Sequence, residues 1–255
     1  MLAGFEKRQF TSDAMGGRPV THDIYEKGTG PVIVVLQELP GIDPATIKFT
    51  DRLADAGFRV VMPHLFGKLN KFALGRNMAR LFCVRREINM FAKNRTSPIV
   101  SWLRALCHDA RERYGVDGVG VIGMCLTGNF AISMMADEAV LGAVASQPSL
   151  PVFAQGSLHM SSADISEIRN SLDEKGPMLS YKFEGDKLCT GDKFKAIDAA
   201  FNTDRERIKL TTLPGDDHAM LTGHFNDTEG SPTRQALAEI LDYFQGKLPQ
   251  PRAEA

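Results

Sequence analysis

A chain of 255 residues with 43% hydrophobic and 24% charged side chains has the make-up of a globular protein, which excludes a disordered chain, a collagen-like repeat and a short disulfide scaffold. With 30 basic against 31 acidic residues the formal charge is −1, so the net basic footprint of a general nucleic-acid binder is missing. The length suits one large α/β domain or two small ones.

Phe5–Phe10 and Arg18–Tyr25 have the alternation of antiparallel edge strands. Pro31–Gln37 is a continuous β-branched run. Asp43-Pro44 reads as an N-cap followed by proline at the first helical position, with Gly57 as the stop. Phe58–Met62 is a second apolar strand. Asp117–Gly123 is a third, and it runs into an apolar helix (NFAISMM, Asn129–Met135). Val140–Ser146 follows, then a helix opened by Ser162 and Asp164 and closed near Gly176. Pro177–Phe183 and Arg207–Leu213 complete six core strands. Ser231-Pro232 starts a last helix that stops at Gly246, and the tail 248–255, with two prolines, is expected to fray. Strands apolar on both faces, alternating with helices, predict a mostly parallel, doubly wound α/β sheet flanked by helices. One domain over 1–247 is expected.

Residues 65–100 stand apart. Lys68, Lys71, Arg76, Arg80, Arg85, Arg86, Lys93 and Arg95 face a single acid, Glu87, and Phe72, Met78, Leu81, Phe82, Ile88 and Phe91 lie among them. Amphipathic helices with a solvated basic face would give this pattern. So would a cap whose arginines draw an anionic substrate to a site beneath it. One short basic stretch is weak grounds for a membrane or nucleic-acid surface.

Nothing approaches the ~20 apolar residues that span a bilayer. Met1–Asp13 lacks the apolar stretch of a secretory signal, so a cytoplasmic chain with reduced thiols is expected. The four cysteines form no C-x-x-C pair, which argues against a zinc ribbon or a thioredoxin-type site.

One cysteine has a distinctive setting. Gly123-Met124-Cys125-Leu126-Thr127-Gly128 joins a strand to a helix, as a nucleophile elbow does. A thiolate at a helix N-terminus is favoured by the helix dipole. The second small position of the strict motif carries Thr127, with Gly128 one residue later. Cys83, Cys107 and Cys189 have no such setting and read as structural. A nucleophile needs a base and a group that orients it. Asp186 follows Pro177–Phe183, and His218 follows Arg207–Leu213. Each stands just past a strand's C-terminal end, where open α/β sheets bind ligands. Asp192, Asp216 and Asp217 are alternatives for the acid, and His224 for the histidine. A metal hydrolase built on His218, His224 and Asp216 or Asp217 is a weaker reading, because H-x5-H is not a helical ligand pair.

The first strand ends in Gln37-Glu38-Leu39-Pro40-Gly41. QELPG, the GMCLTG elbow, FEGD (Phe183–Asp186) and GDDH (Gly215–His218), in that order, resemble the dienelactone hydrolase family over roughly residues 30–245. The resemblance implies an α/β-hydrolase fold and a Cys125–His218–Asp186 triad. It also implies Glu38 as the group that contacts the resting cysteine and helps deprotonate it. Backbone N–H groups of Leu39 and Leu126 would hold the oxyanion. A small ester or lactone would be cleaved through a thioester, with no cofactor and no metal. The chain departs from the family after the histidine: Ala219-Met220-Leu221-Thr222 contains no arginine to bind a substrate carboxylate, and Arg85 and Arg86 are only candidates for that task. A non-catalytic ligand-binding or regulatory protein on the same fold is the alternative.

Overall fold

A computed structural model describes residues 2–13, 19–71, 98–151, 154–158 and 160–251. Arg85, Arg86, Cys83 and most of the basic 65–100 segment lie outside the described residues.

Eight strands form one sheet: β1 (Glu6–Ser12), β2 (Val20–Lys27), β3 (Val32–Leu36), β4 (Arg59–Pro63), β5 (Val119–Met124), β6 (Val140–Ser146), β7 (Met178–Phe183) and β8 (Ile208–Leu213). Their order is β1-β2-β4-β3-β5-β6-β7-β8. β3 to β8 are mutually parallel, and β2 and β1 extend the sheet antiparallel beyond β4. All six core strands and both antiparallel ones fall where the sequence places them, within a residue or two. Every residue of β3 is fully buried, as a central strand covered on both faces requires. Val32, Val34 and Leu36 enter one core, and Ile33 and Val35 the other.

Helices cover each face. α1 (Pro44–Asp55) and α6 (Pro232–Lys247) bury Phe49, Leu53, Ile240 and Phe244 against one side. α2 (Pro98–Arg113), α3 (Gly128–Met134), α4 (Ser162–Lys175) and α5 (Gly191–Phe201) cover the other with Trp102, Leu106, Phe130, Ile168 and Phe201. The caps explain the starts. Asp43 Oδ1 accepts from the Thr46 N–H at 2.9 Å ahead of Pro44, and Ser231 Oγ accepts from the Arg234 N–H at 3.3 Å ahead of Pro232. The cap of α4 is Ser161, one residue before the expected start, in a reciprocal box with Asp164.

Two helices are additional to the sequence reading. In α2, Leu103, Leu106, Cys107 and Ala110 form a buried stripe at helical spacing, hidden in the sequence by the basic segment before it. In α5, Phe194, Ile197 and Phe201 do the same.

Candidate active site

The C-terminal ends of five adjacent strands converge. β3 delivers Glu38, β5 Cys125, β6 Gln147, β7 Asp186 and β8 His218.

Cys125 has φ +56°, the left-handed region that a residue with a Cβ avoids. The turn is tight because strand and helix nearly touch: a Cβ on Gly123 would lie 2.2 Å from the Thr127 carbonyl oxygen and 2.9 Å from Ala131 Cβ. Thr127, the departure from the strict motif, stitches this turn. Its Oγ1 accepts from the Met124 N–H at 2.9 Å and lies 3.3 Å from the Leu36 carbonyl at the end of β3. The small residue moves to Gly128, where a Cβ would sit 2.9 Å from Pro148 Cα. Cys125 keeps 8% exposure, whereas Cys107 and Cys189 have none. Burial pushes the thiols of Cys107 and Cys189 up, and both side chains pack in one hydrophobic core.

Asp186 Oδ1 accepts from the Leu188 and Cys189 N–H groups at 2.8 and 2.9 Å, which points Oδ2 at His218 Nδ1, 2.7 Å away. Facing that carboxylate, Nδ1 is assigned the proton. Nε2 is buried without a hydrogen-bond partner among the described residues, and the Cys125 thiol lies near enough to raise the ring's pKa. Such contacts are often misaligned before substrate arrives. Burial alone would lower the imidazole's pKa. The hydrogen bond to Asp186 and the neighbouring Cys125 sulfur outweigh burial and push it up to about 10. The rivals have other work. Asp216 packs on Gly185, where a Cβ would meet its Oδ1 at 1.9 Å. Asp192 pairs with Lys195, and Asp217 faces His224. His224 Nδ1 accepts backbone N–H groups. Among the described residues no group of three or more His, Cys, Asp or Glu could hold a metal ion, and no helix is long and apolar enough to cross a membrane.

Glu38 is buried, and both its hydrogen bonds land on Oε1: Gln147 Nε2 and Thr222 Oγ1 each donate at 3.0 Å. No hydrogen bond to Cys125 accompanies them among the described residues. The resting contact that the family resemblance implies is therefore not seen as a hydrogen bond, and the two neutral donors occupy Oε1 alone. Gln147 is itself strained, with φ +37°, and fully buried. Its Oε1 accepts from Ser146 Oγ, and its N–H donates to the Tyr181 carbonyl at 2.7 Å. Gln147 and Thr222 escaped the sequence reading. A Gln-Pro just past a strand end is a signal for the first, and nothing in the sequence marks the second. Next to Glu38, Gln37 holds the loop after β4: its Nε2 donates to the Phe66 carbonyl at 2.9 Å and its Oε1 accepts from the Leu65 N–H at 3.0 Å. Leu126 directly follows Cys125 after β5, and Leu39 lies three residues past the end of β3.

Burial, partly offset by the charge of His218 and by the Thr222 and Gln147 hydrogen bonds, raises the Glu38 carboxyl to about 7 from an ordinary 4.5. The folded protein therefore holds a proton that the unfolded chain has released between those two values. Stability falls as pH rises from about 4.5 to about 7, by about 3 kcal/mol at most. Gln cannot titrate. Urea unfolding at pH 5 and pH 8 should show Glu38→Gln gaining on the parent by about 2 kcal/mol between the two. An equal difference at both pH values contradicts the buried, proton-holding carboxyl.

An acid, a histidine and a cysteine that leave β7, β8 and β5 and meet at one end of a mostly parallel sheet are the arrangement of the α/β-hydrolases, and the chain has their fold. Comparison with known proteins narrows the class. Residues 21–248 match the model of the dienelactone hydrolase family, and the chain belongs to that family. It is 32% identical over 127 residues to the carboxymethylenebutenolidase of Pseudomonas sp. (strain P51), which covers 48% of this chain and 52% of that protein. The chain thus spans about half the length of this curated relative in the match. The fold is shared with a dienelactone hydrolase-like promiscuous phosphotriesterase from metagenomic libraries, with TM-score 0.68, 16% identity and coverage of 97% of this chain and 100% of that one. It is shared as well with the dienelactone hydrolase of Anabaena variabilis ATCC 29413, with TM-score 0.59, 15% identity and coverage of 96% and 100%.

Proposed function

We propose that the protein hydrolyses a lactone or small carboxylic ester through a thioester on Cys125. The observation that carries the proposal is the 2.7 Å bond from His218 Nδ1 to Asp186, which leaves the buried Nε2, unpartnered among the described residues, on a ring that feels a strained, partly accessible cysteine. The curated relative is a carboxymethylenebutenolidase, and that name also supports the reading.

The thiol gives up its proton to Glu38, or to His218 Nε2 in the fraction of molecules whose imidazole is neutral. Glu38 suits the task because its pKa lies near neutrality and its bound Oε1 leaves Oε2 for the transfer. Sγ then attacks the carbonyl carbon, and the carbonyl electrons move to oxygen beside the Leu39 and Leu126 N–H groups. Collapse breaks the carbon–oxygen bond, and the imidazolium protonates the departing oxygen. In the second half His218 takes a proton from water, hydroxide attacks the thioester carbon, and the S–C bond breaks to release the carboxylic acid. Asp186 keeps the proton on Nδ1 throughout. An anionic substrate would be drawn by the basic 65–100 segment, with Arg85 and Arg86 as its candidate anchors. A single domain over 1–247 with this segment as its cap is the organisation proposed.

Iodoacetamide tests the assignment of the sulfur. Cys125 should be alkylated ahead of Cys107 and Cys189, which burial keeps protonated, and p-nitrophenyl acetate hydrolysis should fall in step with that adduct. Full activity with Cys125 fully alkylated would contradict the proposal.

A further inference from the structure

The turn that carries His218 is closed by a second imidazole. We propose that His224 is a positioning residue of the hydrolytic site: its Nδ1 fixes the backbone from which His218 reaches Cys125 and Thr222 reaches Glu38. The inference rests on the reading of His218 as the acid–base group.

The Ala219 N–H donates to His224 Nδ1 at 3.0 Å, and the His218 N–H approaches the same atom at 3.4 Å. Two donors converging on one ring nitrogen require a lone pair there, so the ring proton belongs on Nε2. Asp217 Oδ1 lies 3.7 Å from that Nε2. The backbone completes the turn: the N–H groups of Thr222 and His224 both donate to the Ala219 carbonyl, at 3.2 and 2.9 Å. Beyond His224 the chain is anchored to two helices. The Arg52 guanidinium of α1 stacks 4.1 Å from the Phe225 ring centroid. At the start of α6, Thr233 Oγ1 accepts from the Asn226 N–H at 2.9 Å, and Ser231 Oγ donates to the Asn226 carbonyl at 2.6 Å. His224 therefore stands between a fixed base and a short turn that delivers both His218 and Thr222. Its side chain is 46% exposed, so it is not core packing. A ring held there for stability alone would contribute little, whereas a small displacement of His218 lowers the rate steeply.

Asparagine separates the two roles. Its Oδ1 is as many bonds from Cα as histidine Nδ1, so His224→Asn keeps the acceptor and discards the ring. His224→Leu keeps bulk and discards the acceptor. In the full chain, with p-nitrophenyl acetate as substrate, His224→Leu should lower kcat roughly 10–100-fold with KM within about twofold. His224→Asn should restore kcat to within about threefold of the parent, and the urea midpoints of the two variants should coincide. His224→Phe, aromatic and without an acceptor, carries the same expectation as leucine should the leucine variant not fold. Equal losses in the Asn and Leu variants, or none in Leu and Phe, overturn the positioning role. His218→Ala, measured alongside, separates the two failures: full activity there overturns the reading of His218 and this inference with it.

Discussion

Cys125→Ala is expected to lose ester and lactone hydrolysis by about 10⁴-fold or more while keeping its fold. No other described cysteine can stand in. Cys107 lies in the core under α2, and the Cys189 thiol is fully buried beside the Asp186 loop, with burial raising both. Alanine keeps the Cβ that makes the left-handed conformation at position 125 costly, so the strain of the turn is unchanged. The variant's unfolding midpoint should therefore stay close to the parent's, and its rate should be the residue of binding and oxyanion contacts alone. A variant that keeps a tenth of the parent's kcat/KM would place the chemistry elsewhere.

Asp186→Asn should be nearly as damaging, for a different reason. The asparagine Oδ1 can still accept from the Leu188 and Cys189 N–H groups, so the loop stays in place. Its Nδ2 then faces His218 Nδ1 as a donor, which forces the lone pair onto Nδ1 and the proton onto Nε2. The imidazole can no longer take a proton from thiol or water on the Cys125 side. A fall in kcat of about 10³–10⁴-fold follows, with little change in stability. Asp216 is near enough in sequence to be suspected of substituting, but it is packed on Gly185. Activity in Asp186→Asn within tenfold of the parent would mean that the tautomer is fixed by another group.

The strands were readable because burial on both faces leaves continuous β-branched runs, and the helix starts because Asp43-Pro44 and Ser231-Pro232 carry their own caps. The three residues of the proposed triad were readable as strand-end positions for a related reason. Each member sits directly after a strand whose apolar run marks where it ends, so residues far apart in the chain share one edge of the sheet. Helix α5 was obscured because Asp192, in its first turn, reads as a rival acid before its Phe194–Ile197–Phe201 stripe is noticed. The surroundings of Glu38 were not readable at all. Its two donors lie 109 and 184 residues away in the chain, and a glutamine or threonine in a loop carries no pattern. Thr222 falls in the stretch after His218 where the sequence lacks an arginine, and a neutral hydroxyl there binds the glutamate. His224 looked like a competitor for the catalytic role. It is a neighbour that ties down the turn, a distinction that depends on which atoms its ring nitrogens meet.

The central claim is that a carbonyl carbon bonds to one sulfur during turnover. Mixing the protein with p-nitrophenyl acetate, quenching in acid within milliseconds and mapping the acetyl group by peptide mass spectrometry tests it most directly. The account predicts a single acetyl group on the peptide containing Cys125, released by neutral hydroxylamine and formed at least as fast as product. An acetyl group that forms at the turnover rate on any other residue would contradict it.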